Sequence, residues 1–223
     1  MAFNPAITDA EFAQFARIIG QGIYATPVEP ARATGLIRFD VGIAATLVHI
    51  DKNADYYRNS VHNDISTHGY VGVPRLVVAK GFGFGTISAT YAKLTNSGIK
   101  TYGGAVDVPV INGGIVRPTL ALRGSYATLS GVDVFHEKVY GLEAFLSKGF
   151  GPLTPYAAIG RMRTDARGFI PAGTGHPEID LASRANLTRY TAGVRISLFL
   201  PKLVLEATHA ETRSYAAKIS IGL

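Results

Sequence analysis

The last ten residues, Ser214-Tyr-Ala-Ala-Lys-Ile-Ser-Ile-Gly-Leu223, constrain the fold more than any other stretch. Tyr215, Ala217, Ile219, Ile221 and Leu223 fall on one side of an extended chain, and Ser214, Ala216, Lys218, Ser220 and Gly222 on the other. Successive side chains of a strand point to opposite faces, so a period of two is the mark of a strand with two different surroundings. Carried to Leu223, it predicts that the C-terminal segment lies inside a sheet and does not trail off as a tail.

The same period governs most of the chain. From Gly35 onward Ile37, Phe39, Val41, Ile43, Ala45 and Leu47 oppose Arg38, Asp40, Gly42, Ala44 and Thr46. That run is well beyond the average strand of about 5–6 residues. Similar segments recur near 71–80, 84–94, 98–111, 115–129, 133–149, 152–166, 187–200, 202–210 and 214–223, which makes ten predicted strands. Gly81-Phe-Gly83, Asn112-Gly-Gly114, Gly149-Phe-Gly-Pro152 and Leu200-Pro-Lys202 carry tight-turn chemistry. The two long connections, 51–70 and 167–186, are the first and seventh, so in a meander both emerge at one end. The reading is an all-β, antiparallel up-and-down barrel of about ten strands, closed by pairing 214–223 with the strand that begins near Gly35.

Which face points outward follows from strand length and composition. A soluble barrel buries its apolar face and exposes the polar one. Here the strands reach the ~9–11 residues that cross a bilayer, and the polar faces hold Gly, Ser, Thr and Ala with isolated charges. Only 17% of residues are charged, and no continuous apolar run approaches a membrane helix. Tyr102, Tyr140, Phe150, Tyr190 and Phe199 lie toward strand ends, where the aromatic girdles of membrane barrels sit. The apolar faces are therefore expected to meet lipid, with Tyr215, Ile219, Ile221 and Leu223 on the outside of the closing strand.

Residues 1–34 form a separate N-terminal part and 35–223 the barrel. Thr8 or Asp9 caps a predicted helix over 8–19, with Phe12, Phe15, Ile18 and Ile19 on one face and Gly20 and Gly22 at its end. Pro27 and Pro30 break the chain before the first strand. The helix is expected at the periplasmic end of the barrel, where both strand termini lie. Met1-Ala-Phe-Asn-Pro5 has no charged region followed by an apolar one, so no signal peptide is read there; export would require numbering that starts beyond a processing site.

With apolar faces outward, parity sends a mixed set of charges inward. The basic members are Arg38, Arg117, Arg123, Arg189, Arg195 and Lys218, and the acidic members Asp40, Asp107, Glu137, Glu143 and Glu206. A barrel of this size is little wider than the eight-stranded kind that side chains fill. Unpaired charges in a narrow core are costly, so these groups are expected to pair across the lumen. The alternative role is a narrow path or binding site for a small polar or anionic solute.

Other chemistry has weaker support. Net charge is +6, yet the basic residues are interleaved with acids and form no run, which argues against nucleic acid as a partner. The chain has no cysteine, hence no thiolate metal site, no disulfide and no thiol nucleophile. Asp51, Asn53 and Asp55 open the first long connection like a calcium loop, but Tyr56 stands where a glycine is needed and His62 where a bidentate Glu belongs. His62, Asp64 and His68 lack a fourth ligand at regular spacing. A rim protease would need histidines and carboxylates meeting in one cleft, whereas His49, His136 and His209 share the parity of lipid-facing residues. Gly81-Phe-Gly-Phe-Gly85 leads into a strand and lacks the helix N-terminus that cradles phosphate. No catalytic residues, metal or cofactor are expected.

Several segments resemble a known group of proteins: Pro74-Arg-Leu-Val-Val-Ala-Lys-Gly-Phe82, Tyr102-Gly-Gly-Ala-Val106, Pro118-Thr-Leu-Ala-Leu-Arg-Gly-Ser-Tyr126, Leu129-Ser-Gly-Val-Asp133, Tyr140-Gly-Leu-Glu-Ala-Phe-Leu-Ser-Lys-Gly-Phe150 and Pro155-Tyr-Ala-Ala-Ile-Gly160. They look like the little-characterised outer-membrane β-barrel proteins of Gram-negative bacteria, distantly like barrels of the long-chain fatty-acid transporter type. The resemblance spans roughly 35–223; the chain is about half the length of those transporters, and Leu223 stands where a terminal Phe is usual. It implies an outer-membrane location and two kinds of partner, membrane lipid and the barrel-assembly machinery. Two functions follow as expectations. One is a non-enzymatic barrel passing or binding small solutes. The other is a surface binding module, or a subunit of an envelope assembly, acting through 51–70 and 167–186.

Overall fold

The computed structural model describes residues 3–31, 39–61, 66, 68–93, 98–114, 117–173 and 175–222. A helix, α1 (Asp9–Ile23), precedes ten antiparallel strands: β1 (Phe39–His49), β2 (Tyr70–Phe82), β3 (Gly85–Lys93), β4 (Lys100–Ile111), β5 (Thr119–Ser130), β6 (Phe135–Ser147), β7 (Leu153–Ile170), β8 (Ile179–Ser197), β9 (Pro201–His209) and β10 (Arg213–Gly222). A short helix, α2 (Asp55–Arg58), lies between β1 and β2. Each strand pairs with its neighbours in sequence, and β1 with β10, so the sheet closes with no free edge. The seam runs in unbroken register from Asp40 opposite Gly222 to Val48 opposite Ser214. Leu223 and residues 32–38, Arg38 among them, lie outside the described residues.

Alternation is complete in β1, where Asp40, Gly42, Ala44, Thr46 and Val48 are buried and the residues between them exposed. The exposed side is the apolar one. Ile43, Leu142, Ile159, Ile219 and Ile221 each show more than half of their surface, and Ile43 reaches 65%. Around the whole barrel this makes a continuous apolar exterior, far beyond what a water-soluble protein exposes. Tyrosines bound it toward the odd-numbered connections, in cross-strand pairs whose rings lie 5.3 Å apart (Tyr91 and Tyr102) and 5.2 Å apart (Tyr126 and Tyr140). Phe82, Phe84, Phe150, Leu198 and Phe199 bound it at the even-numbered turns, with the Phe199 side chain wholly exposed. An apolar band between two aromatic rings is the exterior of a transmembrane barrel.

Two expectations change. The segment 167–186 is not mainly loop: β7 and β8 stay paired up to Ile170 opposite Ile179, leaving 171–178 as the connection. The long hairpin persists because Met162, Ala166, Ile170 and Leu181 on its inner side are buried against the N-terminal segment. The alternating arginines and aspartates on its outer side gave the stretch its loop-like polarity.

The helix also lies at the other end. Rather than meeting the even-numbered turns, α1 sits inside the barrel mouth formed by the odd-numbered connections. Arg17 pairs with Glu211 in the β9–β10 connection at 2.8 Å, and Gln21 donates to the Thr212 carbonyl at 2.9 Å. Thr8 starts the helix with a capping box: its hydroxyl accepts from the Glu11 N–H, and its own N–H donates to the Glu11 carboxylate at 2.9 Å. That backbone donor holds the exposed Glu11 carboxyl below its ordinary range. The apolar stripe of α1 needs dry surroundings. It finds them in an edge-on cluster of Phe3, Phe12, Phe15 and Phe135, with ring centroids 5.5–6.1 Å apart.

The belt yields a direct test. Ile43→Arg, in mid-strand and outward between Leu76 and Ile219, is expected to cost about 2–4 kcal/mol on folding into lipid vesicles, measured by urea titration. A barrel facing water would lose almost nothing.

Candidate functional site

Among the described residues buried charge is concentrated in the lumen, and the N-terminal segment fills it. After α1 the chain runs down through the barrel to Ala31, whose carbonyl accepts from the Ser147 hydroxyl at 3.4 Å near the even-numbered turns. Val28 is fully buried among Ala44, Val77, Ala121, Phe145, Tyr156 and Val204. Its φ of 46° is a left-handed conformation that a β-branched residue rarely adopts. Pro27 and Pro30 on either side, and the Thr26 hydroxyl accepting from the Val28 N–H at 3.0 Å, hold it there.

The wall opposite carries two rows of side chains that can be read from strand register. In the first, Asp107 of β4 is paired with Arg123 of β5, Arg123 with Glu143 of β6, Glu143 with Gly160 of β7, and Gly160 with Arg189 of β8. Charge alternates along it. Arg123 grips Asp107 through Nε at 2.5 Å and Nη2 at 2.9 Å, and Arg189 Nε donates to Glu143 at 3.0 Å. Gly160 makes the last contact possible, because a Cβ there would collide with the Glu143 side chain and the Leu142 carbonyl. Arg189 continues to Glu206 at 3.4 Å, and the Tyr156 hydroxyl donates to Glu206 at 2.9 Å. The Tyr24 hydroxyl of the N-terminal segment donates to Glu143 at 3.0 Å, while its ring lies under the Arg189 guanidinium, 4.4 Å from centroid to carbon.

The second row is different. Arg75 of β2, Ala44 of β1, Lys218 of β10, Val204 of β9, Arg195 of β8 and Thr154 of β7 succeed one another in register. Three cations stand on it and no acid. Their compensation comes mainly from the segment inside the barrel. Arg75 donates to the carbonyls of Gly22 at 2.8 Å and Tyr24 at 2.7 Å. Lys218 meets the Glu29 carboxylate at 2.8 Å, and Arg195 stands 3.9 Å from it. Asp40, from the wall, adds a contact to Lys218 at 3.4 Å and one to Lys202 at 3.0 Å. The two rows are joined by Arg123, which donates to the Glu29 carbonyl at 2.9 Å.

Of the predicted inward set, Asp40, Asp107, Arg123, Glu137, Glu143, Arg189, Glu206 and Lys218 are buried, and Arg195 is nearly so. Arg117 is a correction. It lies in the β4–β5 connection two residues before β5 begins, fully outside the barrel wall, and so is exposed to solvent. Sequence reasoning missed Arg75, Lys202, Glu29, Tyr24 and Tyr156. Arg75 had a usable signal, a lone cation between Val73 and Val77, but both faces of β2 are apolar and parity alone did not choose. Glu29 and Tyr24 belong to a segment with no period.

Glu137 stands apart from both rows. It is buried beside Gly20 of α1 and Thr164, and neither carboxylate oxygen has a hydrogen-bond partner among the described residues. The loop candidates do not converge. The Asp51 carboxylate accepts from the Asn53 N–H at 2.9 Å, Asp55 pairs with Arg58, and no group of three potential metal ligands occurs among the described residues. His49, His136 and His209 are exposed on the outer wall, His68 is exposed in the first connection, and His62 and Asp64 lie outside the described residues.

Two buried carboxylates should therefore respond oppositely to substitution. Glu143→Ala leaves Arg189 without its nearest counter-charge and is expected to cost about 3–5 kcal/mol. Glu137→Gln replaces a buried carboxyl that no partner among the described residues compensates with a neutral group of the same shape and is expected to be neutral or stabilising. Heat-dependent mobility of the folded barrel on gels reads both.

No family model matches the chain, and no curated protein matches it. Solved structures with which it can be superposed include the N-terminal β-barrel domain of OprF from Pseudomonas aeruginosa (15% identity, 82% of this chain and 95% of that one, TM-score 0.37). Neisserial surface protein A is another (9% identity, 86% and 99%, TM-score 0.38), as is the β domain of the Bordetella autotransporter BrkA (12% identity, 86% and 99%, TM-score 0.36). These superpositions are loose, and nothing in them supports the likeness to long-chain fatty-acid transporters. What the chain is similar to is a barrel; the closed architecture itself rests on its own strand pairing.

Proposed function

We propose that this is a non-enzymatic protein of the bacterial outer membrane, a barrel whose lumen is closed by its own N-terminal segment and opens to small anionic solutes when that segment withdraws. The observation that carries the reading is the second row, in which Arg75, Lys218 and Arg195 depend on Glu29 and on the carbonyls of Gly22 and Tyr24. A structural filler of a narrow barrel would be apolar or paired within itself. This one is stitched to the wall by charge-assisted bonds that water and ions can replace. Val28 adds a bias toward release, since a left-handed valine stores roughly 1–3 kcal/mol that the surrounding wall must offset. With the segment gone, two of the three cations, Arg75 and Arg195, have no wall carboxylate in an ion pair among the described residues, and the lumen favours anions.

The apolar belt takes outer-membrane lipid as its partner, and β10, with Tyr215, Ile219 and Ile221 outward, is the strand to be delivered by the barrel-assembly machinery. The surface-binding alternative has one observation in its favour: the β7–β8 hairpin stands well above the belt and, with the 50–69 connection, offers envelope proteins a site.

The gate is tested in planar bilayers with the full chain. Arg75→Gln combined with Glu29→Gln removes the Arg75 bonds to the Gly22 and Tyr24 carbonyls and the Glu29 pairs with Lys218 and Arg195. Discrete conductance steps, rare in the parent and frequent in the double variant, with a reversal potential favouring anions, are the expected outcome. A correctly folded double variant as silent as the parent rules out the gate.

A further inference from the structure

The exterior of β6, β7 and β8 changes character abruptly on leaving the apolar belt. Along the β6–β7 turn and β7 the outward side chains are Phe150, Leu153, Pro155, Ala157 and Ile159, and then Arg161, Arg163, Asp165 and Arg167. Arg163 stands in register with Tyr140 of the tyrosine girdle and Arg161 one step below it beside Leu142. Arg163 therefore comes out at headgroup level, and the long Arg161 side chain reaches it from the edge of the belt. The neighbouring strands agree. On β6, Tyr140 is followed outward by Lys138 and His136, which stand in register with Asp165 and Arg167; on β8, Tyr190 is followed by Arg184.

This ridge holds five exposed cations, Lys138, Arg161, Arg163, Arg167 and Arg184, against two acids, Asp165 and, farther out on β8, Asp180. Asp165 is already engaged by Arg184 at 2.9 Å, and the other four form no ion pair among the described residues. A surface depression of about 460 Å³ runs among Thr128, Ser130, His136, Lys138, Tyr140 and Arg167, with Glu137 and Asp165 also on its lining. Cations meant only for solubility would be interleaved with acids, as in the first row of the lumen, and would have no reason to gather on three adjacent strands just beyond the belt. Arginine forks suit phosphate oxygens, with hydroxyl groups and a tyrosine rim beside them.

We infer that this ridge is a binding site for the phosphates of a lipid headgroup in the outer leaflet. The acyl chains would lie on the belt below, and the phosphates against Arg161, Arg163 and Arg167. The site is independent of the lumen and of any gate.

The test uses the full chain in detergent micelles, titrated with lipid A as a diphosphorylated probe, with a zwitterionic phosphatidylcholine and inorganic phosphate as the other arms. Saturable binding of lipid A is expected, absent for phosphatidylcholine and weakened by salt. Each arginine removed should weaken it roughly fivefold, so that Arg161→Gln, Arg163→Gln and Arg167→Gln together lose on the order of a hundredfold. A control variant, Lys52→Gln with Lys93→Gln and Lys100→Gln, removes equal charge from the same end of the barrel and should bind as the parent does. Equal loss in the control reduces the effect to net charge and overturns the site. Competition by inorganic phosphate at the concentrations where lipid A saturates would reassign the ridge to free anion and overturn the lipid.

Discussion

Pairing of Lys218 with Glu29 is the contact around which the interior is organised. Lipid outside the barrel forces polar and charged side chains inward, where each must be compensated. On β4 to β8 the wall compensates itself through Asp107, Arg123, Glu143, Arg189 and Glu206. On the β1, β2 and β10 side it does so only through Asp40, and the nearer carboxylate of Lys218 is delivered by a strand-less segment from the other end of the chain. Placing Glu29 there also sets where the rest goes. Val28 is pressed into the apolar floor, Tyr24 rises to Glu143, and α1 is carried to the mouth formed by the odd-numbered connections.

The lumen is thus layered. Apolar contacts hold the mouth, where Phe3, Phe12 and Phe15 meet Phe135 and the tall β7–β8 hairpin. Ionic and hydrogen-bonded contacts hold the middle, and a small apolar cluster around Val28 holds the floor. Apolar layers exclude water and strengthen the ionic layer between them.

The exterior shows how much a strict period conveys. Ile43, Leu142, Ile159 and Ile219 were legible as one surface because every second residue repeats one environment, and the seam of β10 on β1 follows from an even number of such strands. Where the period met a different neighbour the reading failed. The strand read as ending near 166 continues to Ile170 opposite Ile179, inside the stretch 167–186 that reads as a polar loop, because Ala166, Ile170 and Leu181 are buried against the N-terminal segment. Arg117 obeyed the parity of its strand but precedes it, so solvent and not the lumen surrounds it.

The amino-acid order alone determined the barrel, its strand count, its inside and outside, and most of the charges in the lumen, because lipid imposes one simple rule on every strand. The tertiary structure decided which end α1 occupies, that Glu29 and Tyr24 complete the lumen, that Arg75 belongs to it, and that Glu137 is left without a partner. Those outcomes depend on contacts between residues more than a hundred positions apart, such as Tyr24 with Glu143 and Glu29 with Lys218. A segment without periodicity carries no local mark of what it will meet.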